Sequence, residues 1–304
     1  MTSQPELSRF FGTIKHRFNE PLAKHTFLKI GGPAYTALFP QHEELQNLIK
    51  NLKSISMPYI LLGGCTNVVI DDEGLSGAVI FTNNISNCEE VCRGSGIFRC
   101  GSGMSLAGLL SICADRGLSG MEGLSGIPGT LGGALYGNSG SFGFEMKDVV
   151  KSIDVINSDG DIVTVENSKI GFRYRSCNLP EDWVILSALI KLQYDDPANV
   201  REKIKGFRRE KIETQPVNMP SAGCAFRNHE TAPAGRLIDE AGCKGMRVGG
   251  IEVSPVHANF FVNIGGGTAA DYIKLMDLVR DRVAGMFSIE LYPEVRILKK
   301  QHAG

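Results

Sequence analysis

Glycine placement constrains this chain more than any other feature. Of 304 residues 36 are glycine, and ten of these fall between Gly117 and Gly143. A flexible linker would be a Gly/Ser tract with little apolar content. This stretch instead interleaves Met121, Leu124, Ile127, Leu131, Leu135, Tyr136 and Phe142. The pattern predicts buried backbone making tight turns at points where a side chain would obstruct something. A bound cofactor is one candidate for that something.

The length allows two domains, or one with lobes, around a real hydrophobic core. Apolar residues make up 42% and charged residues 21%, an ordinary composition for a soluble protein. A net charge of −1 gives no electrostatic reason to expect a nucleic-acid or membrane partner. No apolar run approaches the roughly 18 to 20 residues that cross a bilayer. Met1 to Arg9 is polar, with no basic region followed by an apolar stretch, so no signal peptide is expected and the location reads as cytoplasmic. The eight cysteines, at 65, 88, 92, 100, 113, 177, 224 and 243, are then expected as reduced thiols rather than disulfides. Cys88 and Cys92 have no second close pair, so neither a structural zinc site nor any other metal is expected.

Residues 42 to 54 read as an amphipathic helix with Leu45, Leu48, Ile49 and Leu52 on one stripe. Strands follow at Tyr59 to Leu62, Val68 to Ile70 and Ala78 to Phe81, then a helix at Leu106 to Ala114. Val149 to Ile156 and Ile162 to Val165 flank Asn157-Ser158-Asp159-Gly160, a hairpin signal. Val184 to Leu192 reads as a strand that Asp195-Asp196-Pro197 ends, which places a domain boundary near residue 197. The basic run Arg201 to Lys211 has the pattern of a solvated helix face. Thr268, with Asp271 three residues on, marks a helix start, and Ile273, Met276, Val279, Arg280 and Val283 form its stripe. Asn259 to Ile264 and Glu290 to Leu298 read as strands around it. The class is mixed α and β. Gly-Leu-Ser-Gly recurs at 74, 117 and 123, but its irregular spacing indicates no repeat fold.

Five places could carry chemistry. Gly63-Gly64-Cys65-Thr66-Asn67, between two strands, suits either a plain strand turn or a cradle of N–H groups for phosphate. It lacks the Gly-Lys-Ser/Thr ending of a P-loop and the following helix of a dinucleotide fingerprint. Gly126-Ile127-Pro128-Gly129-Thr130 with Gly132-Gly133 reads as a buried corner that also permits close approach to a planar or anionic ligand. Tyr174-Arg175 offers a guanidinium, which forks onto carboxylate or phosphate if it faces a pocket. Cys224 sits between the small residues Gly223 and Ala225. Glu294 lies in the strand-like Leu291 to Arg296, where an inward turn would suit acid–base work.

These motifs, in this order, resemble the UDP-N-acetylenolpyruvoylglucosamine reductase family. The match runs from about Leu22 to Arg296. It includes Leu22 to Phe27 with Ile30 to Ala34, the Gly63–Asn67 loop, the Gly117–Gly143 block and Tyr174-Arg175. It continues through Gly223 to Asn228, Gly235 to Asp239, Val248-Gly249-Gly250, His257 to Phe260 and Pro293 to Arg296. The C-terminal part is similar to the shorter subtype, which lacks an extra substrate-covering loop. The resemblance implies an α+β fold. A two-lobed FAD-binding domain of the vanillyl-alcohol oxidase type would span 1–197, its lobes split near 85, with a smaller α/β substrate-binding domain over 198–304. It implies noncovalent FAD held by Gly63, Gly64, Cys65, Thr66, Asn67, Gly126, Ile127, Pro128, Gly129, Gly132 and Gly133. It implies NADPH as hydride donor and a nucleotide-sugar substrate in bacterial peptidoglycan precursor synthesis. Substrate contacts are expected from Tyr174, Lys211, Arg227, Asn228, His257 and Asn259, with Tyr35 a looser candidate.

In such a reductase Arg175 matches the arginine that holds the substrate carboxylate. Glu294 matches the catalytic glutamate, a role that requires it protonated and so a raised pKa. Cys224 stands where the family commonly has the serine that donates a proton to carbon. A thiol, with a reference pKa of about 8.5, is the stronger acid, so donation can be preserved. Arg227 stands where lysine is frequent and His229 where proline is common. Two other readings compete: a different FAD-dependent oxidoreductase of the same flavin fold, and a catalytically silent nucleotide-sugar binding protein. The joint presence of Arg175, Cys224 and Glu294 in matching contexts argues against both.

Overall fold

The computed structural model describes residues 4–300; residues 1–3 of the polar start and 301–304, at the outer ends of the two expected domains, lie outside it. Hydrophobic periodicity predicts most elements closely. The helix His42–Ser54 buries Leu45, Leu48, Ile49 and Leu52, and strands occupy Tyr59–Leu62, Val68–Ile70 and Leu75–Phe81. Asn157 organises its hairpin: its side-chain oxygen accepts the N–H groups of Asp159 and Asp161, and its carbonyl that of Gly160. The helix Leu106–Arg116 starts on a Ser105 cap, whose hydroxyl accepts the Gly108 N–H, and stops at left-handed Gly117.

The chain forms two compact units. The first takes the chain up to Phe18, Thr36–Gly64 and Gly77–Arg209; the second takes Asn19–Tyr35, Cys65–Ser76 and the chain from Glu210 on. The expected boundary at residue 197 coincides with the start of the helix Pro197–Thr214, whereas the division falls inside that helix, and two early segments join the later part of the chain.

Most of a four-stranded sheet belongs to the first unit, in the order Lys15–Pro21, Pro33–Phe39, Leu75–Phe81, Tyr59–Leu62, the last two parallel. Its core runs from Leu7 and Phe11 through Leu38, Leu45 and Ile49 to Ile80 and Ile85. A five-stranded antiparallel sheet follows, ordered Ile162–Glu166, Val150–Ile156, Val184–Lys191, Ile97–Gly101, Cys88–Glu90. The apolar residues of the glycine block, including Met121, Leu124, Leu131 and Leu135, fill the core beside it. There the absent side chains make room for the protein itself: a Cβ on Gly123 would lie 2.2 Å from the Phe144 ring.

In the second unit four antiparallel strands, Ser221–Cys224, Phe260–Asn263, Ile251–Val253 and Arg247–Val248, pack under the helix Ala269–Phe287. The helix buries Ala269, Tyr272, Leu275, Met276, Val279 and Val283. Its stripe therefore includes Tyr272 and leaves the expected Arg280 outside, paired with Asp277. Of the expected strand 290–298 only Arg296–Leu298 is regular, parallel to Val68–Ile70. Pro293 itself sits opposite Phe226 in an isolated antiparallel bridge, at a non-hydrogen-bonded position that needs no N–H from a proline. The helix Ala234–Glu240 has no signal long enough to predict it. Among the described residues no helix is long and apolar enough to cross a membrane, and no group of metal-ligating side chains occurs.

The helix Ala269–Phe287 has two layers of capping. Thr268 and Asp271 form the predicted capping box, and the Asp72 carboxylate accepts the N–H groups of Ala269 (2.8 Å) and Ala270 (3.0 Å). Asp72→Ala is expected to lower stability by about 1 kcal/mol. Urea unfolding should show the loss, together with faster amide exchange at Ala269 and Ala270.

Candidate active site

The cradle in the first unit begins where the strand Tyr59–Leu62 ends. Thr82 holds that end, its N–H donating to the Leu62 carbonyl (3.0 Å). The chain then enters Gly63-Gly64. A Cβ on Gly63 would lie 2.1 Å from Thr130 Oγ1, and one on Gly64 would lie 2.7 Å from Gly129 Cα. The loop Gly126–Gly133 is held from its other side. Leu106 N–H donates to Gly129 O (3.1 Å), Leu131 N–H to Met104 O (2.8 Å), and Gly132 N–H to Ser102 O (2.7 Å). Gly63, Gly64, Gly129 and Gly132 are thus brought together, with Gly126, Ile127, Pro128 and Gly133 on the same loop. Gly133 is not crowded, since a Cβ there meets only Thr130 Oγ1 at 3.7 Å.

Two hydroxyls in this cradle, Ser102 Oγ and Thr130 Oγ1, are buried without a hydrogen-bond partner among the described residues. Such a group costs about 1–3 kcal/mol unless something satisfies it. Orphan hydroxyls beside backbone kept clear of side chains fit the phosphate-bearing cofactor expected here. Neither residue is among the sites expected from the sequence. The available signal was Gly101-Ser102-Gly103, directly after a strand.

Arg175 occupies the tip of a tight turn, closed by the Arg173 N–H on Ser176 O (2.9 Å) and the Ser176 N–H on Arg173 O (3.2 Å). Its backbone is left-handed, with φ 55°. Nη1 donates to Gly140 O (2.8 Å), and the guanidinium carbon lies 5.4 Å from the exposed Tyr174 ring. A non-glycine residue in this conformation is uncommon, and it fixes where the side chain starts.

The second unit assembles the thiol and the glutamate. Cys224 ends a strand and faces Phe260, with a register shift at left-handed Gly223 (φ 74°). Residues 225–227 then run against 292–294: Glu294 N–H donates to Ala225 O (2.9 Å), and Arg227 N–H to Tyr292 O (2.9 Å). Seventy positions apart in sequence, Cys224 and Glu294 so lie on adjoining segments. The rest of the glycine loop belongs to this unit. Asn67 Nδ2 donates to Glu294 O (3.3 Å), Asn67 O accepts the Arg296 N–H (3.1 Å), and Thr66 O is the atom nearest a Cβ on Gly223, at 3.9 Å. Cys65 is buried, and burial pushes its thiol up to about 12, so it serves the loop through its backbone.

A cleft of about 460 Å³ opens beside Cys224, with Asn228, His257 and Asn259 in its wall. Asn228 Oδ1 accepts the Ala234 N–H (3.0 Å). Asn259 turns inward: its Oδ1 accepts the Phe226 N–H (2.9 Å) and its Nδ2 donates to the Phe226 carbonyl (2.7 Å). His257 Nδ1 accepts the Asn259 N–H (3.2 Å), which leaves the neutral ring's proton on Nε2. Burial lowers the His257 pKa, and Lys244 adds to the shift. Four charged residues of the wall, Arg236, Asp239, Glu240 and Lys244, escaped prediction. They pair as Arg236–Glu240 (2.7 Å) and Lys244–Asp239 (2.6 Å). Arg236, Asp239 and Glu240 lie on the short helix Ala234–Glu240, and Lys244 lies just beyond it. Arg227 lies outside the cleft wall. Lys211 is the buried exception in a basic run that is otherwise largely solvated. From the core, the fully buried Tyr272 phenol is raised by burial first and by neighbouring Cys224 second, and its hydroxyl has no partner among the described residues.

Comparison with known proteins finds two matching families. Residues 33–166 match a family described as FAD binding domain. Residues 215–298 match UDP-N-acetylenolpyruvoylglucosamine reductase, C-terminal domain. A protein of that name from Rubrobacter xylanophilus is 40% identical over 96% of this chain and 97% of its own length. One from Carboxydothermus hydrogenoformans is 39% identical over 92% and 93%. The crystal structure of the Thermus caldophilus UDP-N-acetylenolpyruvylglucosamine reductase superposes with a TM-score of 0.79 at 32% identity, covering 94% of this chain and 98% of that one. An alkyldihydroxyacetonephosphate synthase structure shares the fold alone, with TM-score 0.50 and 19% identity over 64% of this chain and 41% of that one.

Two outcomes follow from the geometry. In Gly64→Ala the new methyl meets backbone that cannot step aside, so FAD retention is expected to fall about tenfold or more, read from flavin absorbance after gel filtration. Cys65→Ser should retain FAD. A histidine whose folded pKa is depressed contributes stability that is present above its unfolded value of about 6.5 and lost as pH falls through the folded value. His257→Gln should flatten that acid-side loss; an unchanged slope of urea midpoint against pH would count against it.

Proposed function

The chain belongs to the UDP-N-acetylenolpyruvoylglucosamine reductase family, and we infer from this how its own residues reduce an enolpyruvyl nucleotide sugar. It is an FAD-dependent oxidoreductase of peptidoglycan precursor synthesis, with an α+β fold whose flavin-binding domain is of the vanillyl-alcohol oxidase type. NADPH is the hydride source. The observation that carries this reading is similarity along almost the whole chain, 40% over 96% of it, joined to a glycine cradle with two orphan hydroxyls. The reaction takes place in the cytoplasm and involves small molecules only.

FAD would be held by Gly63, Gly64, Cys65, Thr66, Asn67 and the Gly126–Gly133 loop, with Ser102 and Thr130 donating to its polar groups. When bound, it supplies a hydride to the methylene carbon of the enol ether. Negative charge then builds on the neighbouring carbon and spreads into the carboxylate, so the chain must meet it with donors. The Arg175 guanidinium forks onto the carboxylate. A protonated Glu294 donates a hydrogen bond to the same growing charge, since an ionised one would repel it. Cys224 completes the reduction: its S–H bond breaks as the new C–H bond forms, and the thiolate regains a proton from water. What supports this role is its half-buried place on the cleft wall, on a segment adjoining Glu294. Asn228 and His257 would line the nucleotide sugar, with Tyr174, Lys211 and Arg227 contributing contacts. Asn259 would act through Phe226, which it clamps, keeping Cys224 in place.

The purified protein is expected to be yellow, to bleach with NADPH and to regain colour anaerobically only on adding the enolpyruvyl sugar nucleotide. A colourless protein would favour a binding role, and bleaching without recovery a different oxidoreductase. In single-turnover reoxidation Cys224→Ser should stay active, whereas Cys224→Ala should slow by about 10²- to 10⁴-fold. Equal rates for Ala and Cys would remove the thiol from the mechanism.

A further inference from the structure

Outside the cleft, two thiols that the reduction does not use face each other. Cys88 and Cys100 are directly opposed in the antiparallel pairing of Cys88–Glu90 with Ile97–Gly101. The flanking rungs identify the kind of pair. Gly101 N–H donates to Asn87 O (2.8 Å) and Val91 N–H to Ile97 O (2.9 Å), so residues 87/101 and 91/97 are hydrogen-bonded pairs. Cys88 and Cys100 therefore occupy a non-hydrogen-bonded position, where opposed Cα atoms lie about 4.5 Å apart. That is within the range a disulfide spans, about 4.4–6.8 Å. Both thiols are free, and their sulfurs are 2.9 Å apart. Forming an S–S bond of about 2.0 Å needs a movement of about 0.9 Å.

The two thiols differ in the way an attacking and a resolving cysteine differ. Cys88 is half-buried, whereas Cys100 is fully buried in the core. The hydrogen bond from Cys100 lowers the Cys88 pKa, burial opposes this, Arg116 favours the thiolate and Glu89 opposes it. Arg116 is fixed nearby, its guanidinium carbon 5.6 Å from the Phe98 ring. Cys100 is correspondingly raised. Cys113, the third thiol of the group, is buried and pushed up to about 12, so it does not compete.

We propose that Cys88 and Cys100 are a modification site, a dithiol that small disulfides such as oxidised glutathione convert to a reversible cross-strand disulfide. The Cys88 thiolate attacks one sulfur of the reagent, breaking its S–S bond and releasing one thiol. Cys100 gives up its proton and attacks Cys88 Sγ, releasing the second. Two protein thiols are oxidised, and one small disulfide is reduced to two thiols. The bond ties the edge strand Cys88–Glu90 to the strand that leads into Ser102, whose carbonyl holds Gly132 of the cofactor loop. The site is independent of which substrate the enzyme reduces.

The test uses the FAD-loaded enzyme, oxidised glutathione and peptide mapping without reductant. A Cys88–Cys100 linked peptide that dithiothreitol removes is expected, with a melting temperature raised by about 4 °C or more. Cys100→Ser should instead hold glutathione on Cys88. Cys88→Ser, at a half-exposed position, should form no link and show no shift in melting temperature under the same treatment. Glutathione on Cys92 with Cys88 and Cys100 still reduced, or a Cys88–Cys92 link, would overturn the proposal.

Discussion

In the first unit two stretches of backbone meet with no side chain between them. Gly64 packs on Gly129 so closely that one added carbon would sit 2.7 Å from Cα, and Gly63 leaves room only for the Thr130 hydroxyl. Backbone against backbone cannot be relieved by a rotamer change, so this contact sets where both loops lie. Around it lie the hydrogen bonds that hold Gly129, Leu131 and Gly132, and Ser102 and Thr130, buried without partners among the described residues. Each such hydroxyl costs the fold about 1–3 kcal/mol unless a group such as the proposed phosphate-bearing cofactor satisfies it. The glycine block around this loop has a different task. Gly123 makes room for Phe144, which is core packing and not ligand space.

The second unit depends on a polar clamp. The Asn259 amide makes both of its hydrogen bonds to the backbone of Phe226, and Ala225 N–H donates to the Asn259 carbonyl (2.7 Å). Buried bonds of this kind resist exchange for bonds to a ligand, because breaking them leaves two main-chain groups unpaired. The clamp fixes residues 225 and 226, which directly follow Cys224. Glu294 reaches the same neighbourhood because Pro293 bridges to Phe226 and the Glu294 N–H donates to the Ala225 carbonyl.

Local elements were legible to within a residue or two wherever apolar spacing was strong, as at His42–Ser54 and Tyr59–Leu62. Shorter or interrupted segments were not. The helix Ala234–Glu240 spans barely two turns, and although Gly235 to Asp239 carries part of the family resemblance, nothing in that motif marks its charged residues as lining a cleft. Along the chain Cys88 has its nearest thiol in Cys92, four residues away. Its partner in space is Cys100, because strand register pairs residues by geometry and not by proximity along the chain.

The sequence by itself determined the residue types and their order: glycines where loops must touch, an arginine, a thiol and a glutamate in the family's arrangement, and the periodicities of most helices and strands. These are local properties, or properties that ordered motifs preserve. Only the tertiary structure decided that Asn19–Tyr35 and Cys65–Ser76 belong with the later part of the chain, and that Cys224 and Glu294 lie on adjoining segments. It alone showed that Asn259 looks inward and that Ser102 and Thr130 lack partners among the described residues. The physical reason is that hydrogen-bond satisfaction and steric exclusion are set by groups far apart in sequence, and no local pattern records them.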